Sequence, residues 1–214
     1  MTPTLPPSQD RAFLFDWLAA VFLYEPDAAT VAVLRGSEGE ALLAAVGAMP
    51  GLAEDAAAIG AAVRAVYARA GSDADAAAAL AARFGTLFLG AGGPGSAHPY
   101  ASIYMERRTH GTATDRSVAF LASHDLAVGT AVAEPADHIA VQLAALAELS
   151  RREAVADPGS AAALYAAQKA FVSAEFLNWA PAFRARVERD DPNGFYAAAA
   201  RLAEQAVKTF YPAA

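Results

Sequence analysis

Apolar side chains recur at helical spacing near the start of the chain. Phe15, Leu18 and Phe22 follow one another at intervals of three and four residues, which puts them on one face of an α-helix. Ser8 is a suitable N-cap for this helix, and Pro26 cannot continue it. The pattern therefore predicts a helix between these two residues with a buried apolar face.

The same periodicity continues to the end of the chain. Alternation of apolar and polar residues, the pattern of a half-buried strand, nowhere exceeds a few residues. We predict an all-α fold, a single domain of about ten helices over residues 1–214, with a flexible N-terminus over residues 1–8 and a Gly/Pro-rich loop over residues 90–99. Further helices are predicted at about 28–35, 38–46, 52–70, 73 or 75 to 88, 112 or 114 to 126, from 134, from 159 to 176, and up to about 210.

The segment 134–139, Glu-Pro-Ala-Asp-His-Ile, has the composition of a helix N-terminus. Pro135 suits the first helical position, where its missing N–H would have no partner in any case. Glu134 and Asp137 lie where the helix dipole favours negative charge. The pattern predicts a helix that starts here and places His138 beside two carboxylates. The buried stripe of this helix is predicted to contain Ile139, Leu143 and Leu146.

This acidic cluster has two interpretations. The carboxylates can simply cap the helix by accepting hydrogen bonds from its free N–H groups. They can also form a polar site for a cationic partner. In the second case His138 should favour binding when neutral, so affinity should fall between about pH 8 and pH 6.

Composition supports an all-helical protein outside the membrane. The hydrophobic fraction of 56% is high mainly because alanine, the strongest helix former, is abundant. No window of about 20 residues lacks both charges and helix breakers, so no stable membrane insertion is predicted. Residues 1–10 have neither a basic region nor an apolar stretch of the kind found in secretory signals. We therefore predict a cytoplasmic location.

Charge and cysteine content narrow the possible partners. The net charge of −7 argues against nucleic acid, which is bound through lysine and arginine, and fits a basic peptide better. The chain has no cysteine, which excludes disulfides, thiolate catalysis and cysteine-ligated zinc.

Catalytic and metal sites are not indicated. Ser102, His138 and Asp137 are the residue types of a hydrolytic triad, but adjacent residues on a helix diverge by about 100°, and the chain has no G-x-S-x-G segment. We predict no enzymatic activity, no metal and no cofactor. The histidines are too widely spaced for helical zinc ligation; they are His98, His110, His124 and His138.

Nucleotide binding is a minor alternative. The glycine-rich stretch 88–99 follows a predicted helix and contains no lysine, unlike a P-loop. The pairs Arg107-Arg108 and Arg151-Arg152 are isolated in an acidic chain and are typical of solvated helix ends.

Three segments resemble one known family. Glu-Pro-x-Asp-His-Ile over residues 134–139, Pro-Tyr-Ala-Ser-Ile-Tyr over 99–104 and Phe-Leu-Asn-Trp-Ala-Pro-Ala-Phe over 176–183 resemble the TorD/DmsD/NarJ family of chaperones for molybdenum-containing redox enzymes. The chain departs from the family pattern at Ala101, where a glutamate is usual, and at Phe176, where a histidine is usual. Asp125 stands near a position where members often have glycine.

The resemblance implies a TorD-like helical bundle and a function. The expected partner is the twin-arginine signal peptide, and the body, of a molybdoenzyme catalytic subunit, which is held back from export until its cofactor is inserted. The runner-up is a helical interaction module without twin-arginine specificity. Oligomeric state is open between a monomer and a domain-swapped dimer with a hinge such as residues 127–133.

A peptide of this kind needs an apolar groove rimmed by carboxylates. Glu134 and Asp137 are the predicted rim, and the predicted walls are aromatic and aliphatic residues that could equally be plain core. The full set of candidate peptide-binding residues is Leu87, Phe88, Tyr100, Ser102, Tyr104, Glu134, Pro135, Asp137, His138 and Trp179.

Overall fold

The computed structural model describes residues 5–93, 96–130 and 132–213. In this part of the chain it contains eleven α-helices, one short 3₁₀ helix (Phe176–Asn178) and no β-strand, which confirms the all-α prediction. The predicted flexible N-terminus lies partly outside the described residues, and so does part of the predicted loop over residues 90–99. The helices are α1 (Ser8–Leu23), α2 (Ala28–Arg35), α3 (Ser37–Ala48), α4 (Ala53–Ala70), α5 (Asp73–Phe88), α6 (Ala101–Glu106), α7 (Thr112–Ser123), α8 (Ile139–Val155), α9 (Pro158–Ala174), α10 (Ala180–Asp190) and α11 (Phe195–Phe210).

Local sequence explains many of the helix boundaries. Asp157 caps α9 by accepting hydrogen bonds from the N–H groups of Gly159 and Ser160, at 2.9 Å and 3.1 Å. The N-cap of α5 is Ser72, whose side chain accepts a hydrogen bond from the Asp75 N–H at 3.1 Å. Gly71 ends α4 in the left-handed conformation, which glycine adopts without steric cost.

The start of α8 differs from the prediction. The helix was expected to begin at Pro135, but its first residue is Ile139 and its N-cap is His138. The preceding residues form a turn because their backbone groups pair with another segment, which is described below. This tertiary pairing overrides a local pattern that favours an earlier start.

The chain divides into two compact units, each built from separate stretches. The first contains Tyr24–His98 and Phe183–Thr209, and the second contains Leu5–Leu23, Pro99–Ala182 and the residues from 210. The prediction of a single domain stays a prediction. Among the described residues, no helix combines the length and the continuous apolar character needed to cross a bilayer.

Aromatic rings form the centre of the first unit. Phe88 contacts Phe84 and Tyr196 edge to face, with ring centroids 5.1 Å and 5.3 Å apart. The buried hydroxyl of Tyr196 donates to the Leu80 carbonyl at 3.1 Å. The carboxylate of Asp191 accepts a hydrogen bond from the Tyr196 N–H at 3.1 Å, at the start of α11. The rings and the hydrogen bond from Tyr196 to Leu80 hold α5 and α11 together.

The second unit is organised around the packing of α1 on α8. Phe15 and Leu18 of α1 are buried, as predicted from their spacing, and so is Leu143 of α8. Phe15 also meets the rings of Phe210 and Tyr211, at 5.8 Å and 6.3 Å between centroids. The candidate site is built on this unit.

Candidate functional site

Two short segments, one before α6 and one before α8, pair through their backbones in antiparallel fashion. The N–H of Ile139 donates to the Pro99 carbonyl at 2.9 Å, and the N–H of Ala101 donates to the Asp137 carbonyl at 3.1 Å. The sequence marks these two segments separately, about 38 residues apart in the chain. In the structure they therefore lie side by side.

Asp137 is a structural carboxylate. Its side chain is 0% exposed, and its two oxygens accept hydrogen bonds from the Ser102 N–H and from the Thr114 hydroxyl, both at 2.9 Å. Ser102 lies in the first turn of α6, so Asp137 caps that helix from another segment. Both oxygens are enclosed and occupied, so this geometry favours the capping interpretation of Asp137 over the predicted place on the rim.

Glu134 is the carboxylate that stays available. Its Oε2 accepts a hydrogen bond from the Tyr100 hydroxyl at 2.8 Å, and the side chain is half-buried. In the described part of the chain, no lysine or arginine forms an ion pair with it. Burial and the neighbouring Glu134 carboxylate raise the pKa of Tyr100, so the phenol stays protonated and donates.

His138 is a buried, neutral cap. Its Nδ1 accepts a hydrogen bond from the Ala140 N–H at 3.1 Å, and its ring meets the Tyr100 ring edge to face, 5.2 Å between centroids. Burial lowers the pKa of His138 to about 4, although the carboxylates of Glu134 and Asp137 act in the opposite direction. A ring with this pKa does not change its charge between pH 8 and pH 6, so the structure gives no support to the predicted loss of affinity through this residue.

The three residue types of a hydrolytic triad do not form one. Asp137 bonds to the backbone of Ser102, and the Nδ1 of His138 is occupied by a backbone N–H. The His138 ring is therefore not oriented by a carboxylate in the way a general base requires.

Trp179 belongs to the core of the second unit. It is 0% exposed, and its Nε1 donates to Gln142 at 3.2 Å, while the amide nitrogen of Gln142 donates to Ser117 at 3.1 Å. The half-buried Tyr104 ring packs on the indole at 5.7 Å between centroids. Because the ring is enclosed, this arrangement favours core packing for Trp179, the alternative that the sequence left open for a predicted wall residue.

Leu87 and Phe88 lie in the first unit. Both are buried, and Phe88 packs against Phe84, Phe183 and Tyr196. These contacts make them core residues of that unit, which is the alternative that the sequence left open for each apolar candidate.

A cavity of about 560 Å³ lies beside Glu134 in the second unit. Four of the predicted residues line it, namely Tyr100, Ser102, Glu134 and Pro135. Ser102 is buried, and its hydroxyl has no hydrogen-bond partner among the described residues. Buried hydroxyls usually have a partner, so this one is an unsatisfied polar group in the cavity wall.

Other residues of the cavity wall carry no recognisable signal in the sequence. Thr109 and His110 come from the loop before α7, and Val128 and Val132 from the loop before α8. Polar and apolar loop residues without periodicity carry no local signal of a shared site. The one available hint was the predicted linker over residues 127–133, which the sequence marked only as a possible hinge.

Comparisons with known proteins cover nearly the whole chain. Residues 49–185 match the model of a family described as nitrate reductase delta subunit. The chain is 31% identical to a chaperone protein TorD from Vibrio cholerae serotype O1 (strain ATCC 39541), over 92% of this chain and 88% of that protein. It is 33% identical to a chaperone protein TorD from Photobacterium profundum, over 91% and 89%.

A solved structure shares the fold. A protein from Archaeoglobus fulgidus, described as a redox enzyme maturation protein, is similar with a TM-score of 0.53 and 21% identity over 91% of both chains. The curated relatives bear the name chaperone, which agrees with the prediction of a protein that is not an enzyme.

Proposed function

Because the chain belongs to the nitrate reductase delta subunit family, we propose that it is a chaperone for the catalytic subunit of a molybdenum-containing redox enzyme. It binds the twin-arginine signal peptide of that subunit in the cytoplasm. It holds the subunit back from export while the molybdenum cofactor is inserted.

The observation that carries the proposal is the uncompensated carboxylate of Glu134 beside a cavity. An arginine guanidinium is the natural partner of such a group, because it donates two parallel hydrogen bonds to a carboxylate. The Tyr100 hydroxyl, which stays protonated, orients the carboxylate without neutralising it. The net charge of −7 also favours the approach of a basic peptide.

The apolar part of the cavity wall fits the rest of such a peptide. Val128, Val132, Ala133 and Pro135 line it, and they offer aliphatic surface to the methylene stem of an arginine or to a neighbouring apolar side chain. Val128 also packs against the buried cluster of Leu121, Ala136 and Ala145, so this wall is backed by core.

Calorimetric titration with a twin-arginine peptide from a molybdoenzyme of the same genome tests the proposal. We expect wild-type protein to bind it roughly 10-fold or more tightly than the same peptide with two lysines. Glu134→Gln should lose most of this preference while its melting temperature changes little. Glu38→Gln is the matched control, because Glu38 is exposed and the charge change is the same.

Equal affinity of wild type for the two peptides would refute the proposed specificity. It would leave the chain as a helical interaction module without twin-arginine preference, and a co-purifying partner without such a signal would then identify its function.

A further inference from the structure

The cavity offers charge for one cation. Glu134 is the carboxylate that lines it, while the nearby Asp137 is enclosed and bonded to Ser102 and Thr114. A guanidinium that binds a carboxylate with two parallel hydrogen bonds engages both of its oxygens. A second arginine in the same cavity would be desolvated without a counter-charge, which is costly.

Ser102 supplies a second contact for that one cation. Its hydroxyl is buried and has no partner among the described residues, and the residue lies in the wall of the same cavity as Glu134. A guanidinium has five N–H donors, so two of them can serve the carboxylate while another meets a hydroxyl oxygen. Lysine carries its donors on one nitrogen and cannot reach two acceptors in the same fork-like geometry.

From these observations we propose that the cavity binds the guanidinium of a single peptide arginine through Glu134 and Ser102. One arginine of the pair therefore binds in the cavity, and the other stays outside it. This inference rests on the proposed function and adds to it an unequal contribution of the two arginines.

Four peptides that differ only at the two positions test this directly: Arg-Arg, Arg-Lys, Lys-Arg and Lys-Lys, titrated against the full chain by calorimetry. We expect one singly substituted peptide to bind within about twofold of Arg-Arg, and the other to fall about tenfold, to the level of Lys-Lys. The inference would be overturned if each single substitution lowered the affinity by a similar factor and the two factors multiplied in Lys-Lys. The proposed function would then still stand. Equal binding of all four peptides would overturn both.

Two variants test which residues of the cavity bind the arginine. Glu134→Gln should make the four affinities nearly equal. Ser102→Ala should weaken Arg-Arg about three- to tenfold and leave Lys-Lys unchanged, whereas a merely structural serine would affect all peptides alike or none. Ser123→Ala, at an exposed serine of α7, is the control. Retained arginine preference in Glu134→Gln, or an equal effect of Ser102→Ala on all peptides, would overturn the inference.

Discussion

The second unit contains two carboxylate clusters that differ in one respect. In the first, Glu153 faces the buried guanidinium of Arg11 at 2.6 Å and also accepts a hydrogen bond from Gln168 at 2.9 Å. In the second, Glu134 faces the Tyr100 hydroxyl and a cavity, with no cation beside it in the described part of the chain. The first cluster is neutralised within the fold, and the second is not.

The first cluster continues through hydrogen bonds that tie distant segments together. The Oε1 of Gln168 accepts hydrogen bonds from the hydroxyls of Ser150, at 2.8 Å, and Tyr211, at 2.7 Å. Arg11 also donates to the Pro6 carbonyl at 3.2 Å. These hydrogen bonds connect α1, α8, α9 and the C-terminal segment, so the cluster holds them in place.

The comparison shows that a half-buried glutamate can be structural or available, depending on its counter-charge. A carboxylate with its cation inside the fold has little to gain from a ligand, since a new cation would have to displace the old one. A carboxylate that meets only a phenol and a cavity still has an unmet interaction. The predictions below test this distinction.

The largest expected effect is the loss of stability when Arg11 is replaced. Replacing it by methionine leaves Glu153 buried without its cation, so Arg11→Met should lower the free energy of unfolding by about 3–5 kcal/mol. Urea denaturation measures this. Arg151→Met, which removes the exposed ion pair with Asp16, should cost less than about 1 kcal/mol. Equal costs for the two variants would show that the Arg11–Glu153 pair is no more structural than a surface pair.

The next effect is a dependence of stability on pH through His138. Its pKa is about 4 in the folded protein against 6.5 in an unfolded chain, so the unfolded state binds more protons between these values. The contribution of the neutral ring is complete above about pH 6.5 and is lost as pH falls toward 4. Each pKa unit corresponds to about 1.4 kcal/mol, so the loss is at most about 3–4 kcal/mol.

His138→Asn isolates this contribution, because asparagine can still cap α8 but does not titrate. Denaturation midpoints at several pH values from 7 to 4 should fall less steeply in the variant than in wild type. Parallel curves would mean that other groups cause the acid sensitivity.

Asp137 tests whether position in the second cluster or burial determines the role of a carboxylate. Asp137→Ala leaves the buried N–H of Ser102 without its acceptor and should lower the free energy of unfolding by about 2 kcal/mol. Peptide affinity per folded molecule should stay within about twofold, in contrast to Glu134→Gln. Thermal melts and calorimetry together measure both. A large loss of affinity in a well-folded Asp137 variant would return it to the binding site.

The smallest expected effect on stability is that of replacing Tyr100. Tyr100→Phe removes the hydrogen bond to Glu134 and should lower the free energy of unfolding by about 1 kcal/mol. The affinity for a twin-arginine peptide should change less than about threefold, because the carboxylate remains. A loss as large as that of Glu134→Gln would show that the phenol itself contacts the ligand.

The sequence by itself determined the helical class and much of the core. The spacing of Phe15, Leu18 and Phe22, and of Leu143 and its neighbours, predicted buried faces that the structure contains. It also marked segments 99–104 and 134–139 as important, and four residues from them line the cavity. Periodicity and capping act over a few residues, so one sequence is enough to read them.

Only the tertiary structure decided which of the marked residues are available. Asp137 and Glu134 stand three residues apart with the same charge, yet one is enclosed by Ser102 and Thr114 and the other faces a cavity. For the same reason α8 starts at Ile139 and not at the predicted Pro135. The backbone groups just before Ile139 pair with a segment that is distant in sequence. Hydrogen-bond satisfaction and burial are set by whichever groups are brought together in space, and a local pattern does not record them.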